Sequence, residues 1–184
     1  MKLIAFIGMA ASGKSEAVEI ARNLGIPVVT MGDVVREEVK RLGLPETDEN
    51  NGIVGAKLRE EEGMDAIAKR CVPKIKKTNS DIVVVDGVRG IAEVNLFRKE
   101  FGDDFTLIEI FAPTEIRIDR VKNRARSDDI SDLEALKKRD KRELGWGMGK
   151  AIKIADITIE NAKSLEEFKN EVQIVLKRLL PFVQ

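Results

Sequence analysis

Gly8-Met9-Ala10-Ala11-Ser12-Gly13-Lys14-Ser15 decides the reading of this chain. The octet matches G-x-x-x-x-G-K-[ST]. Its glycines let the backbone curl so that successive N–H groups point at phosphate oxygens. In that geometry Lys14 reaches the outer phosphates and the Ser15 hydroxyl binds Mg²⁺. A helix beginning at Ser15 aims its positive end at the same anion. The apolar run 3–7 precedes the loop and a helical pattern follows it, as this mechanism requires. Gly8, Ala11, Ser12, Gly13, Lys14, Ser15 and Glu16 are therefore read as a nucleotide-binding set.

Outward from the loop, the chain alternates. Apolar runs at 3–7, 26–29, 82–85, 105–111 and 154–159 read as strands. Most are nearly continuous, as strands covered on both faces are. Helical patterns lie at 15–23, 33–41, 58–76, 91–100 and 114–124, the third with possible breaks at Gly63 and Pro73. Ser131 with Glu134, and Ser164 with Glu167, fit the S-x-x-E helix start. The final helix carries a stripe of Leu165, Phe168, Val172, Val175 and Leu179, expected to lie on the sheet. The Gly/Pro/Asn-rich stretch 43–55 reads as a mobile insertion. The expected fold class is α/β: a three-layer fold with a five-stranded parallel sheet and helices on both faces, forming one domain over 1–184.

Composition bounds the chemistry. The 184 residues include no histidine, no tyrosine and one cysteine, Cys71. Imidazole catalysis, His-ligated metals and internal disulfides are excluded. Lys, Arg, Asp, Glu, Ser, Thr and backbone amides remain, a set suited to phosphoryl transfer, where positioning and charge do most of the work. Cys71 reads as a core residue, and the lone thiol fits a reducing cytoplasm. Lys+Arg and Asp+Glu are both 32, which does not favour bulk binding of nucleic acid or membrane. No apolar run is long enough to span a bilayer.

Candidate acceptor residues follow two strands. In Gly32-Asp33-Val34-Val35-Arg36 and in Val85-Asp86-Gly87-Val88-Arg89, an acid at a strand end is followed three residues later by an arginine. Arg36 and Arg89 read as a clamp for a second phosphate group. Asp86 reads as an Mg²⁺ partner beside Ser15. Asp33 is a candidate to orient the attacking oxygen, with helix capping as the competing role. Between Ile116 and Arg126 stand five bases and one acid, with Arg117, Arg120 and Arg124 on one helix face. Arg120, Arg124, Arg126 and Arg139 read as a cationic flap over the transferring phosphate, or else as a solvated face or RNA patch. The segment Gly145-Trp146-Gly147-Met148-Gly149 reads as a wall of the adenine or substrate pocket, or simply as a turn with a buried Trp.

Together these elements resemble the adenylate-kinase branch of the P-loop nucleoside monophosphate kinases. The resemblance rests on the phosphate loop, Gly32-Asp33-Val34-Val35-Arg36, Val85-Asp86-Gly87, Asp119-Arg120 with Arg124, and Arg126-Ser127-Asp128-Asp129. More narrowly, the chain is similar to archaeal adenylate-kinase-related proteins of unassigned substrate. Its end, Ala155-Asp156-Ile157-Thr158-Ile159-Glu160-Asn161, is similar to that of dephospho-coenzyme A kinases. The resemblance implies a P-loop fold with an acceptor-binding insertion at roughly 31–75 and a short lid at roughly 120–142. It also implies that Asp33, Arg36, Gly87, Arg89, Arg126 and Arg139 bind the acceptor, and that Arg120 contacts the donor. The third-strand motif departs from the family: D-G-V-R-G stands where adenylate kinases have D-G-F-P-R. Arg139 falls two residues beyond the expected lid position, which Lys137 occupies.

The expected function is ATP- and Mg²⁺-dependent phosphoryl transfer to AMP or another nucleoside monophosphate. Lys14, Asp33, Asp86, Arg120, Arg124 and Arg126 are the catalytic candidates, and Ser15 and Asp86 the metal partners. Two rivals stand beside it. One is a hydroxyl kinase of the dephospho-coenzyme A type, with Asp33 as base. The other is an ATP-bound switch assisting RNA or ribosome processing.

Overall fold

The computed structural model describes residues 1–124 and 133–180. β1 (Lys2–Ile7) leads through the phosphate loop into α1 (Lys14–Asn23). Then come β2 (Val28–Thr30), α2 (Met31–Arg41), α3 (Asp48–Glu62), α4 (Ala66–Lys77) and β3 (Ile82–Asp86). α5 (Ile91–Phe101), β4 (Phe105–Phe111), α6 (Thr114–Arg124), α7 (Leu133–Gly145), α8 (Met148–Ile152), β5 (Ile157–Glu160) and α9 (Leu165–Leu179) complete the order. Among the described residues the strands form one parallel five-stranded sheet in the order β2-β3-β1-β4-β5.

Successive β1 side chains point to opposite faces, and both faces are buried. Leu3, Ala5 and Ile7 join a core with α2 to α5 and α8. Ile4 and Phe6 join a second core with Ala17, Val18 and Ala21 of α1 and Phe168, Val172 and Leu176 of α9. This burial on both sides explains why the strand runs are continuous rather than alternating. Register aligns the functional edge. Phe6 pairs with Asp86, and Asp86 with Thr30, so the loops after β1, β2 and β3 emerge side by side.

Several local expectations shift. The second strand begins at Val28, because Ile26 N–H closes the turn onto Ala21 O at 3.0 Å. The fifth begins at Ile157, since Ile154 remains in the turn after α8 and bonds Ala151 O at 3.2 Å. Gly63 does separate α3 from α4. Pro73 breaks nothing: α4 runs through it, held by buried Ala66, Ile67, Ala68, Cys71 and Ile75. The stretch 43–55 is corrected from a mobile insertion to a loop leading into α3. The Thr47 hydroxyl caps that helix, accepting from Asn50 N–H at 3.1 Å, with Asp48 and Glu49 in the first turn. In α9 the inward stripe is Phe168, Val172 and Leu176, flanked by partly buried Val175 and Leu179, whereas Leu165 at the first position is 53% exposed. Ser164 and Glu167 form the reciprocal capping box. The Ser131–Glu134 cap cannot be described in full, because Ser131 lies outside the described residues. Cys71 is fully buried, and burial pushes its thiol up to about 12. No helix among the described residues is long and apolar enough to cross a membrane.

Candidate active site

The phosphate loop holds a backbone that few sequences permit. Gly8, Ala11 and Gly13 have φ of 156°, 60° and 107°. At Gly13 an added Cβ would overlap the Asn161 amide nitrogen, so glycine is required both for the dihedral and for the close approach. Asn161, buried just after β5, donates to Ser12 O at 2.8 Å and accepts from Arg120 at 2.9 Å. Arg120 also donates to Ala11 O and Ser12 O at 3.3 and 3.1 Å. Arg117 donates to Ala10 O at 3.1 Å and is paired with Asp140 at 2.9 Å. Arg117 and Arg120 of α6 therefore grip the carbonyl side of the loop. Arg117 is buried and Arg120 part-buried, so neither of these two is a solvated surface group. The Arg124 side chain and Arg126, both assigned to the flap, lie outside the described residues.

Two cavities meet at the carboxyl edge of the sheet. One, about 150 Å³, is lined by loop residues including Ser12, Gly13, Lys14 and Ser15, together with Asp86. The other, about 650 Å³, is lined from α2, α3 and α7, with Arg36, Arg59, Arg142, Glu143 and Trp146 among its walls. Gly87, Arg89 and Arg139 line both. The larger volume lies in the range of small-molecule sites.

Lys14 Nζ donates to the carbonyls of Gly8 and Met9 at 2.6 and 3.0 Å. Burial first, then the nearby Arg89, pushes its ammonium down from 10.5 to about 8, against the opposing pull of Glu143 and Asp86. Burial also lowers the Arg89 guanidinium, with Glu143 opposing it. The Glu143 carboxyl would be raised by burial, but Arg89, Arg139 and Lys14 outweigh this and hold it below the usual carboxylate range. Arg139 Nε donates to Glu143 Oε1 at 2.9 Å, and Arg89 pairs with the same oxygen.

Buried polar atoms are nearly always hydrogen-bonded, so exceptions point somewhere. Among the described residues six lack a partner: Ser12 Oγ, Asp86 Oδ1, Asn51 Oδ1, Arg59 Nε, Arg142 Nε and Glu143 Oε2. All six belong to residues lining the two cavities. For a triphosphate and Mg²⁺ the fit is favourable. The loop supplies a cradle and Lys14 a cation, while the Ser15 hydroxyl and Asp86 supply hard oxygen donors. No cluster of three or more acidic or thiol side chains cages a metal among the described residues, so the ion would need oxygens from the bound phosphates as well.

The other expected site residues divide. Ser12, Gly13, Lys14, Ser15, Asp86, Gly87, Arg89 and Arg139 come together, and Arg36 joins them across the larger cavity. Asp33 is not on either wall; it sits in the first turn of α2 and pairs with Arg36, which also faces Glu46 at 3.6 Å. Glu16 turns to Lys169 of α9 at 3.3 Å. Trp146 walls the larger cavity, with the Arg59 guanidinium 4.1 Å over its ring. Arg59 itself pairs with buried Glu93 at 2.6 Å. Sequence reasoning missed Arg59, Arg142, Glu143 and the structural use of Asn161. The i, i+4 spacing of Arg139 and Glu143 was visible, but it commonly means an exposed helix pair.

The family model described as an AAA domain matches residues 7–137. A UPF0200 protein of Methanosarcina barkeri is 57% identical over 180 residues, covering 98% of this chain and 97% of that one. Among solved structures, a gluconokinase from Sinorhizobium meliloti has TM-score 0.58 at 19% identity, covering 97% of this chain and 93% of the other. A dephospho-CoA kinase from Campylobacter jejuni has TM-score 0.59 at 19% identity, covering 97% and 98%. At that identity the likeness is one of fold: a P-loop kinase fold. The chain belongs to the AAA-domain family and to the group of UPF0200 proteins.

Proposed function

We propose that this AAA-domain family member is a kinase, moving the terminal phosphoryl group of ATP to a small acceptor that already bears a phosphate, with AMP or another nucleoside monophosphate as the acceptor. One observation carries the reading. The cavity at the phosphate loop shares Gly87, Arg89 and Arg139 with a cavity of about 650 Å³ whose walls include Arg36, Arg59 and Arg142.

In this reading the loop amides and Lys14 hold the donor's phosphates, Lys14 leaving the Gly8 and Met9 carbonyls to do so. Ser15 and Asp86 would hold Mg²⁺, which neutralises charge on the donor's outer phosphates. Arg36 and Arg142 receive the acceptor's anionic group. Arg89 and Arg139, at the junction, stabilise charge on the group in transit. An acceptor phosphate oxygen attacks the γ-phosphorus, the bond to the β–γ bridging oxygen breaks, and ADP leaves with the electron pair. The attacking oxygen is already ionised at neutral pH, so no strong base is needed. This suits a site whose candidate base, Asp33, is paired with Arg36. Arg117 and Arg120, turned onto the loop carbonyls, likewise lend no support to an RNA-binding switch.

The test is an assay of the purified chain with magnesium ATP and two acceptor sets: nucleoside monophosphates, and hydroxyl compounds including gluconate and dephospho-CoA. Formation of a nucleoside diphosphate, abolished by Lys14→Ala, is the expected result. Turnover of hydroxyl compounds alone, or unchanged turnover by the Lys14→Ala variant, overturns the proposal.

A further inference from the structure

Glu143 is the polar group at the junction that the transfer reaction does not call for. Its side chain is 1% exposed. One oxygen serves both Arg139 and Arg89, and the other has no partner among the described residues. Arg89 and Arg139 are the two charged residues common to both cavities, so a single buried carboxylate is the shared counter-ion of both. Arg89 is fixed from a second side as well, its backbone N–H donating to Glu93 Oε2 at 2.7 Å. Glu143 therefore ties α7 to the loop after β3 where the donor and acceptor cavities adjoin.

Two consequences follow from the charge count. Held by Glu143, the guanidiniums need not reorganise as charge develops, the condition under which such groups are most effective. Glu143 also lowers the attraction of the junction for an anion at rest. Without its charge, Arg89, Arg139 and Lys14 would keep Asp86, Glu93 and, 3.6 Å from Arg139, Asp48 among their acidic neighbours, but would lose the carboxylate that Arg89 and Arg139 share. A resting anion would then bind more tightly while the arginines became less well placed. Tighter ground-state binding with poorer placement slows a reaction rather than speeding it.

Resting on the kinase reading above, we infer that Glu143 is a positioning residue for phosphoryl transfer. It holds Arg89 and Arg139 at the junction and keeps them from gripping the resting acceptor too strongly. A carboxylate with a merely structural role would, when neutralised, loosen the site and weaken acceptor binding. A positioning counter-ion makes the opposite prediction for binding.

The experiment compares wild type, Glu143→Gln and Glu143→Asp. Steady-state kinetics with the best acceptor should show Glu143→Gln lowering kcat about 10- to 100-fold while lowering acceptor KM about 3- to 10-fold, with KM for ATP little changed. Glu143→Asp, which keeps the charge but falls one methylene short, should retain the wild-type acceptor KM with an intermediate kcat. A second readout needs no turnover. Inorganic phosphate is titrated calorimetrically into each protein saturated with magnesium ADP, and Glu143→Gln should bind it about 3- to 10-fold more tightly than wild type. Thermal unfolding of each variant checks that it is folded, and the Asp variant carries the comparison if the Gln variant is not. Equal or weaker phosphate binding by Glu143→Gln overturns the inference, as does an Asp variant that binds like Gln. If no protein turns over any acceptor, the kinase reading fails while the phosphate titration still judges Glu143.

Discussion

Binding of magnesium ATP should draw a proton onto Lys14, and the effect can be sized from the resting site. Buried against the Gly8 and Met9 carbonyls and near Arg89, the ammonium is depressed to about 8 from 10.5. At pH 9 about nine in ten resting molecules then carry neutral Lys14, and at pH 7 about one in ten. A triphosphate favours the charged form. Binding therefore takes up about 0.9 proton at pH 9 and about 0.1 at pH 7, and affinity falls roughly tenfold between them. The sign in the empty protein follows from the same depression. Between about pH 8 and 10.5 the unfolded chain binds more protons at Lys14 than the folded one, so this group's contribution to stability rises with pH across that window. The assay is isothermal titration calorimetry in buffers of different ionisation enthalpy, where the slope of observed enthalpy counts protons. The background is quiet: there is no histidine, and Cys71 is pushed to about 12. Lys14→Met supplies the control for the amino terminus. A flat slope at pH 9, or the same slope in Lys14→Met, would refute the reasoning.

Two further outcomes test the scaffold. Gly13→Ala forces a φ of 107° onto an alanine and drives its methyl into the Asn161 amide, at a cost of about 1–3 kcal/mol; affinity for a non-hydrolysable ATP analogue should fall at least about tenfold. Gly25→Ala, at φ 75° with open space around it, should leave that affinity unchanged. Arg59→Met strands buried Glu93 without its guanidinium and should lower unfolding free energy in urea by about 3–5 kcal/mol, much of it recovered in Arg59→Met/Glu93→Gln. A single variant within about 1 kcal/mol of wild type would show that the pair is not the constraint described.

The departures between expectation and structure have physical causes. Asn50, Asn51, Gly52 and Gly55 read as loop because their helix propensity is poor. Tertiary contact overrides that preference. Gly52 lies in α3 where a Cβ would collide with the Arg142 guanidinium, so the residue that weakens the helix also lets it approach α7. Asp33 and Glu16 sit near the cavities in sequence, and their side chains pair with Arg36 and Lys169. Arg120 belongs beside the phosphate loop as its motif suggested, yet on the carbonyl side of it.

Local chemistry was enough to establish the phosphate loop, the parallel sheet, most helix and strand positions and the Ser164–Glu167 cap. Each depends on residues within a few positions of one another: glycines that permit unusual dihedrals, apolar runs with their period, a hydroxyl three residues from a glutamate. The larger cavity was legible only in part: Arg36, Arg89, Arg139 and Trp146 stood out as candidates, whereas Arg59, Arg142 and Glu143 did not. Arg59, Arg89, Arg139, Arg142, Glu143 and Trp146 converge from α3, the loop after β3, and α7 with the turn that follows it. Which charges neighbour which depends on how these elements pack across the carboxyl edge of the sheet. A partly buried ion pair between residues 54 positions apart, such as Arg89 with Glu143, leaves no periodic trace in the chain.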